Sequence, residues 1–120
     1  MVRDAITVTN TLLAGVAPTL DTPVFANQGE VANGSGRVLV IYVNGVGGAG
    51  VSDTEVTIQQ VACPHERIQN DAAFDVTTDT VGVFGPFPPL LYNQSDGTVQ
   101  FDYENAINAG VERVFGLAVL

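Results

Sequence analysis

The chain has 120 residues, which suffices for one domain whose core needs neither disulfides nor a metal. Its formal net charge is −9, and its only basic side chains are four arginines. This balance argues against direct binding to nucleic acid or to an anionic membrane. It favours either plain solubility or contact with a positively charged protein surface.

Residues 1–36 are predicted to form an extended N-terminal arm. Ile6 and Val8 alternate with threonines and start a first strand within 6–15. Prolines, glycines and Asx residues over 16–36 predict an irregular connection with one short strand at 24–26. The composition of the whole chain, rich in valine and threonine with 13 glycines and 6 prolines, predicts an all-β protein.

Two strands are predicted in the middle of the chain. The stretch RVLVIYVNG at 37–45 is apolar on both faces, which is typical of a central strand covered on both sides. A glycine-rich loop at 44–53 leads to 54–63, where Val56 and Ile58 alternate with polar residues and predict a half-buried strand.

Residues 64–80 are polar and acidic, with Phe74 and Val76 as candidate strand anchors. Three acids recur there at every fourth position: Asp71, Asp75 and Asp79. Since the EF-hand pattern of acids at every second position is missing, a solvated acidic edge is favoured over a calcium site.

Three further strands are predicted toward the C-terminus. The strand at 81–89 ends at its prolines, which cannot donate to a sheet ladder. An Asp-Gly turn opens the segment 94–106, whose inward side chains are predicted to be Val99, Phe101 and Tyr103. The last strand, 111–120, is predicted to turn the following residues inward: Phe115, Leu117 and Val119.

Together these elements predict a two-sheet antiparallel β-sandwich, jelly-roll-like, with an extended N-terminal arm. Residues 37–120 are predicted to form the sandwich core and residues 1–36 the arm of one domain overall.

The sequence contains no convincing catalytic set. His65, the single histidine, lies beside Pro64 and close to Cys63 in a predicted loop, and two such residues cannot close a zinc site. The glycines of 44–53 match no phosphate-binding motif. We therefore expect no catalytic residues, no cofactor and no metal, so that a hydrolase with paired carboxylates is the weakest alternative.

The segment 85–92, GPFPPLLY, is the main candidate for a protein contact, because its prolines display apolar side chains at low entropic cost. A corner between two strands explains the same residues, and both interpretations stay open. The candidate contact residues are Phe87, Pro88, Pro89, Leu90, Leu91 and Tyr92, together with Ile6, Val8, Leu12 and Leu13 of the arm.

The order of GPFPP at 85–89, LYNQ at 91–94 and DGTV at 96–99 resembles small proteins encoded among the head genes of tailed bacteriophages. The strand RVLVIYVNG at 37–45 stands where those proteins have a similar central strand. The resemblance implies a capsid decoration (cement) protein or a related small head protein, without catalytic residues.

Such a protein is a structural virion component that binds the outer surface of the shell and stabilises it. Its implied partner is the major capsid protein, with self-association for which a trimer is favoured. Its implied location is the capsid surface, after synthesis in the host cytoplasm. A single cysteine and a first ten residues without an apolar signal-peptide core agree with cytosolic folding. The alternative from another class is a β-sandwich module that binds glycans on a host surface.

Overall fold

The computed structural model describes residues 2–11, 15–45, 53–61, 72–104 and 112–119. Within them the strands are β1 Asp4–Ala5, β2 Val8–Asn10, β3 Gly29–Ala32, β4 Val38–Asn44, β5 Thr54–Ile58, β6 Ala72–Val76, β7 Val81–Phe84, β8 Thr98–Glu104 and β9 Glu112–Ala118. A single helical turn, α1, spans Pro89–Tyr92. No helix in these ranges is long and apolar enough to cross a membrane.

The strands form two sheets that pack face to face. The five-stranded sheet has the order β1-β3-β8-β5-β6, and the four-stranded sheet has the order β2-β9-β4-β7. Most neighbours are antiparallel, but β1 runs parallel to β3 and β2 runs parallel to β9. The predicted all-β two-sheet sandwich is therefore confirmed, with mixed rather than purely antiparallel sheets.

The core lies between the sheets and follows the alternation of the strands. β8 buries Val99, Phe101 and Tyr103, as predicted, and β4 takes the predicted central position between β9 and β7. Aromatic rings touch edge to face in a continuous row from β6 to α1: Phe74, Phe84, Phe101, Phe87 and Tyr92. These ring contacts add to the stabilisation from apolar burial.

The N-terminal third is part of the sandwich and not an arm that extends from it. β1 and β3 belong to the five-stranded sheet and β2 to the other, while Ile6 between β1 and β2 is buried in the core. The predicted boundary after residue 36 therefore separates no structural units. The predicted strand at 24–26 is wrong, because residues 25–27 form a turn and the strand lies at Gly29–Ala32.

The last strand faces the opposite way from its predicted orientation. On β9, Val114 and Gly116 face the core. A Cβ on Gly116 would lie 3.1 Å from Cγ2 of Val8, so the close approach of β2 requires a small residue there. The residues that lie away from the core are those predicted to face it: Phe115, Leu117 and Val119.

A buried carboxyl group connects the two sheets. Glu112 on β9 accepts hydrogen bonds from the hydroxyl of Tyr42 on β4, at 2.9 Å, and from the hydroxyl of Thr54 on β5. Burial, followed by the neighbouring Glu112, raises the pKa of Tyr42 above its usual range. The contact fixes the orientation of β9, because a shift by one residue would turn Arg113 into the core.

Thr54→Val removes one hydroxyl donor to Glu112 at nearly constant side-chain size. We expect the free energy of unfolding to fall by about 1–3 kcal/mol, because a buried acceptor loses a hydrogen bond. Thr57→Val on the outer side of the same strand is the matched control, with an expected change below about 0.5 kcal/mol. Urea denaturation followed by circular dichroism measures both variants, and equal effects would contradict a role of this hydrogen bond in joining the sheets.

Candidate functional site

The segment 85–92 is anchored in the core through Phe87. This side chain is 2% exposed, and its ring centroid lies 5.6 Å from that of Phe101 and 5.7 Å from that of Tyr92. The side-chain amide of Asn33 donates to the carbonyl oxygen of Phe87 at 2.9 Å. Phe87 therefore belongs to the core and not to a contact surface, which corrects its place among the predicted contact residues.

Two backbone features determine the path of this segment. Gly85 has a φ of +103°, and a Cβ on it would lie 2.8 Å from the carbonyl oxygen of Val38, so that only glycine fits. Pro89 then begins the helical turn α1, which the sequence does not predict. A proline fits the first turn because the first amide groups of a helix need no partner within it.

The remaining side chains of the segment divide between surface and partial burial. Pro88 and Pro89 are exposed, and Leu90 is 64% exposed. Leu91 and Tyr92 are half-buried, with Tyr92 packed against the core. Among the predicted contact residues of this segment, the outward ones are therefore Pro88, Pro89 and Leu90.

The structure describes two of the four N-terminal candidates, Ile6 and Val8, and neither is exposed. Ile6 is buried in the core, which corrects its predicted role in a contact. Val8 is half-buried against the same core. Leu12 and Leu13 lie outside the described residues.

The outer side of the four-stranded sheet, which we call the apolar face, is a hydrophobic surface that the strand registers assemble from three strands. Ile41 lies at its centre, paired with Phe115 on one side and Val83 on the other. The single acidic residue in the described strands of this sheet, Glu112, faces the core. The apolar face consists of Leu39, Ile41, Val43, Val81, Val83, Phe115 and Leu117.

The apolar face continues to the start of the segment 85–92. A shallow cavity of about 280 Å³ lies at the end of the sheet, lined by Leu39 together with Pro86, Val119, Arg37 and Gly36. The predicted contact segment thus reaches the apolar face through Pro86. Sequence reasoning missed the strand residues of this face. In VGVF at 81–84 every side chain except that of glycine is apolar, so the sequence pattern does not show which residues face the core and which face outward.

The outer side of the five-stranded sheet, which we call the acidic face, has the opposite character. Its carboxyl groups are those of Glu30, Glu55, Asp75, Asp102 and Glu104. Arg3 forms an ion pair with Asp102 at 2.7 Å. The sandwich therefore has one hydrophobic and one negatively charged outer side.

Three carboxyl groups of the acidic face form a row across adjacent strands. Glu55 on β5 is paired directly with Asp75 on β6 and with Glu104 on β8. Glu104, and to a lesser extent Asp75, raise the pKa of Glu55 above its usual value. Like charges directly opposite each other on neighbouring strands destabilise a sheet. Asp75 lies on the edge strand, in agreement with the predicted acidic edge.

The described residues contain no group of three or more His, Cys, Asp and Glu side chains that could hold a metal ion. Cys63, His65 and Asp71 lie outside these residues, so the structure does not test the roles weighed for them. Comparisons with protein-family models, with curated proteins and with solved structures found no match. The function is therefore inferred from the two outer faces and the edges of the sandwich.

Glu55→Gln tests the electrostatic repulsion among the three carboxylates of the acidic row. A carboxyl group whose pKa is raised by folding stabilises the folded state below its unfolded pKa, and this contribution is lost as the pH rises through the folded value. We therefore expect Glu55→Gln to raise the urea midpoint at pH 7, and to raise it less at pH 4, where Glu55 takes up its proton.

Asp96→Asn is the matched control, because it changes the net charge equally. Hydrogen bonds from the hydroxyl and amide of Thr98 lower the pKa of Asp96, so this carboxylate stabilises the fold above its unfolded pKa and the contribution is lost as the pH falls. We expect Asp96→Asn to lower the midpoint at pH 7. If both variants raised it, overall net charge and not the row would be the cause.

Proposed function

We propose that the chain is a non-catalytic structural protein that binds the outer surface of a phage capsid and stabilises the shell. The observation that carries the proposal is the division of the sandwich into an apolar and an acidic outer face. The resemblance of the segment 85–99 to small phage head proteins is the reason for proposing a phage capsid as the assembly that it binds.

The apolar face is the side that contacts the shell. With strands about 4.8 Å apart and outward side chains about 6.8 Å apart along each strand, its seven residues cover roughly 230 Å². Val81 and Val83 are exposed, whereas Ile41 at the centre is 9% exposed. Contiguous hydrophobic patches of a few hundred Å² are often functional. Arg37 lies at its border and Arg113 on its β9 strand, while the one acidic side chain in the described strands of this sheet, Glu112, faces the core.

The size of the apolar face suits a repetitive assembly. A stable interface buries about 800 Å² on each partner, so one contact of this size is weak. Self-association, for which a trimer is favoured, presents several copies of the face to neighbouring major capsid subunits. Their combined binding is then much stronger than a single contact.

The acidic face remains toward the solvent in this arrangement. Five carboxyl groups per chain, repeated over a shell, keep decorated particles apart and soluble. The same face repels the phosphate backbone of nucleic acid, which agrees with a role outside the shell.

Val83→Lys is the test of docking through the apolar face. Val83 is 63% exposed on the edge strand β7, so we expect the variant to fold. Placing an ammonium group in an apolar contact should weaken binding to purified shells assembled without this protein by at least tenfold, or about 1.4 kcal/mol. Co-sedimentation measures the binding, and heat resistance of the decorated shells measures the stabilisation.

Thr57→Lys adds the same charge to the acidic face and is the control, with unchanged binding expected. A loss confined to Thr57→Lys would assign docking to the acidic face. A wild-type protein that neither binds such shells nor raises their heat resistance would refute the capsid role, and binding on a glycan array would then favour the host-surface alternative.

A further inference from the structure

An apolar groove lies at one edge of the sandwich, between the edge strands β6 and β7. It has a volume of about 330 Å³, and its lining includes Ile58, Phe74 and Phe84. The volume is roughly ten times the share of one water molecule in the liquid. Phe74 points between the sheets, 5.9 Å from Phe84 between ring centroids, yet it is 56% exposed. The groove therefore has room for large apolar side chains next to an aromatic ring that is only partly covered.

The chain closes the opposite edge of the sandwich with its own N-terminal segment. The amide of Ile6 donates to the carbonyl oxygen of Glu30 at 2.7 Å, on the five-stranded sheet. The carbonyl oxygen of Thr7 accepts from the amide of Gly116 at 3.0 Å, on the four-stranded sheet. One extended segment thus pairs with both sheets, and the side chain of Ile6 fills the gap between them.

The edge at β6 and β7 has no corresponding segment in the described part of the chain. β6 ends the five-stranded sheet and β7 ends the four-stranded sheet on the same side of the sandwich. Edge strands of this kind are templates for pairing with another extended chain, unless charge, proline or a bulge prevents it. β6 and β7 contain no proline, and the main obstacle is the charge of Asp75.

The charge of this edge defines which strand fits. A residue paired with Asp75 would have its Cβ about 4.5–5.5 Å away and would extend the row formed by Asp75, Glu55 and Glu104. Opposite charges in such pairs stabilise a sheet, so the position favours lysine or arginine. The residues before and after it point to the other side of the strand, toward the groove, and there large apolar side chains are favoured.

We propose that the edge between β6 and β7 binds an extended strand of a different protein, in which basic side chains alternate with large apolar ones. This chain has no lysine, and its arginines lie far apart at 3, 37, 67 and 113, so a second copy offers no such strand. The bound strand adds main-chain hydrogen bonds to the edge and places its apolar side chains in the groove. The site goes beyond shell docking, because it uses the edge strands of the sandwich, although Val81 and Val83 belong both to the lining of the groove and to the apolar face.

Peptide titration of the full chain tests this site. The probe is a blocked heptapeptide of sequence KVKIKVK, compared with EVEIEVE and with KKVIVKK, which has the same composition as the probe without the alternation. Backbone amide chemical shifts of the ¹⁵N-labelled protein report the binding position. We expect shifts centred on β6 and β7, an affinity for KVKIKVK at least tenfold above that for either control, and a ratio to EVEIEVE that falls with added salt.

Two variants separate the groove from the charge. Phe74→Ser removes the ring without adding charge and should weaken KVKIKVK binding at least fivefold, whereas Phe25→Ser changes an aromatic side chain of similar exposure, 52%, in a distant turn and should leave it within twofold. Asp75→Asn alters only a surface carboxylate, so it keeps the test valid if Phe74→Ser fails to fold. We expect it to weaken KVKIKVK about threefold and EVEIEVE not at all.

Three results would overturn the proposal. Shifts centred on Leu39 and Phe115 would place the peptide on the apolar face instead. Equal affinity for the basic and acidic peptides, or for the alternating and non-alternating ones, would show unspecific adhesion. Absence of any shift at millimolar KVKIKVK would show that the edge accepts no such strand. None of these results depends on whether the protein binds capsid shells.

Discussion

The hydrogen bonds of Glu112 inside the sandwich are the constraint on which the outer surfaces depend. They join β9 and β4 of one sheet to β5 of the other through Tyr42 and Thr54. Because side chains alternate along a strand, a carboxyl group held inside at residue 112 forces Phe115 and Leu117 to the outside. The apolar face thus results from a polar group in the core. A strand that buried its aromatic residue would have left the four-stranded sheet without the row of Phe115, Ile41 and Val83.

Local pattern predicted the elements whose alternation is unambiguous. Val99, Phe101 and Tyr103 alternate with polar residues, and they are buried on β8 as expected. The all-β class follows from composition, and the central place of β4 follows from an apolar run of six residues, 38–43. β9 could not be oriented in this way. Its inward positions carry a glutamate, a valine and two small residues, a pattern that looks polar or neutral until the approach of β2 is known.

The candidate surfaces were less predictable than the fold, because they combine residues distant in sequence. The prolines of the segment 85–92 predict a defined backbone path. The burial of Phe87 could not be predicted, because it depends on the turn at Gly85 and on the hydrogen bond from the amide of Asn33. The groove depends on a sheet order that no local pattern contains. Of the acids predicted to form an edge, Asp75 lies on the edge strand β6, whereas Asp79 lies in the turn after it and Asp71 outside the described residues.

The acidic row lowers the stability of the isolated chain. Three carboxyl groups on adjacent strands repel one another, and in the described residues the ion pair of this face lies at Asp102 and not within the row. A core of aromatic and branched side chains, with a buried carboxyl group joining the sheets, tolerates this cost. The row ends at an edge strand beside an apolar groove, so the same charges that oppose pairing with another acidic chain favour a basic one. The repulsion among these carboxylates, which is unfavourable within the fold, thus lets the edge prefer a basic strand over an acidic one.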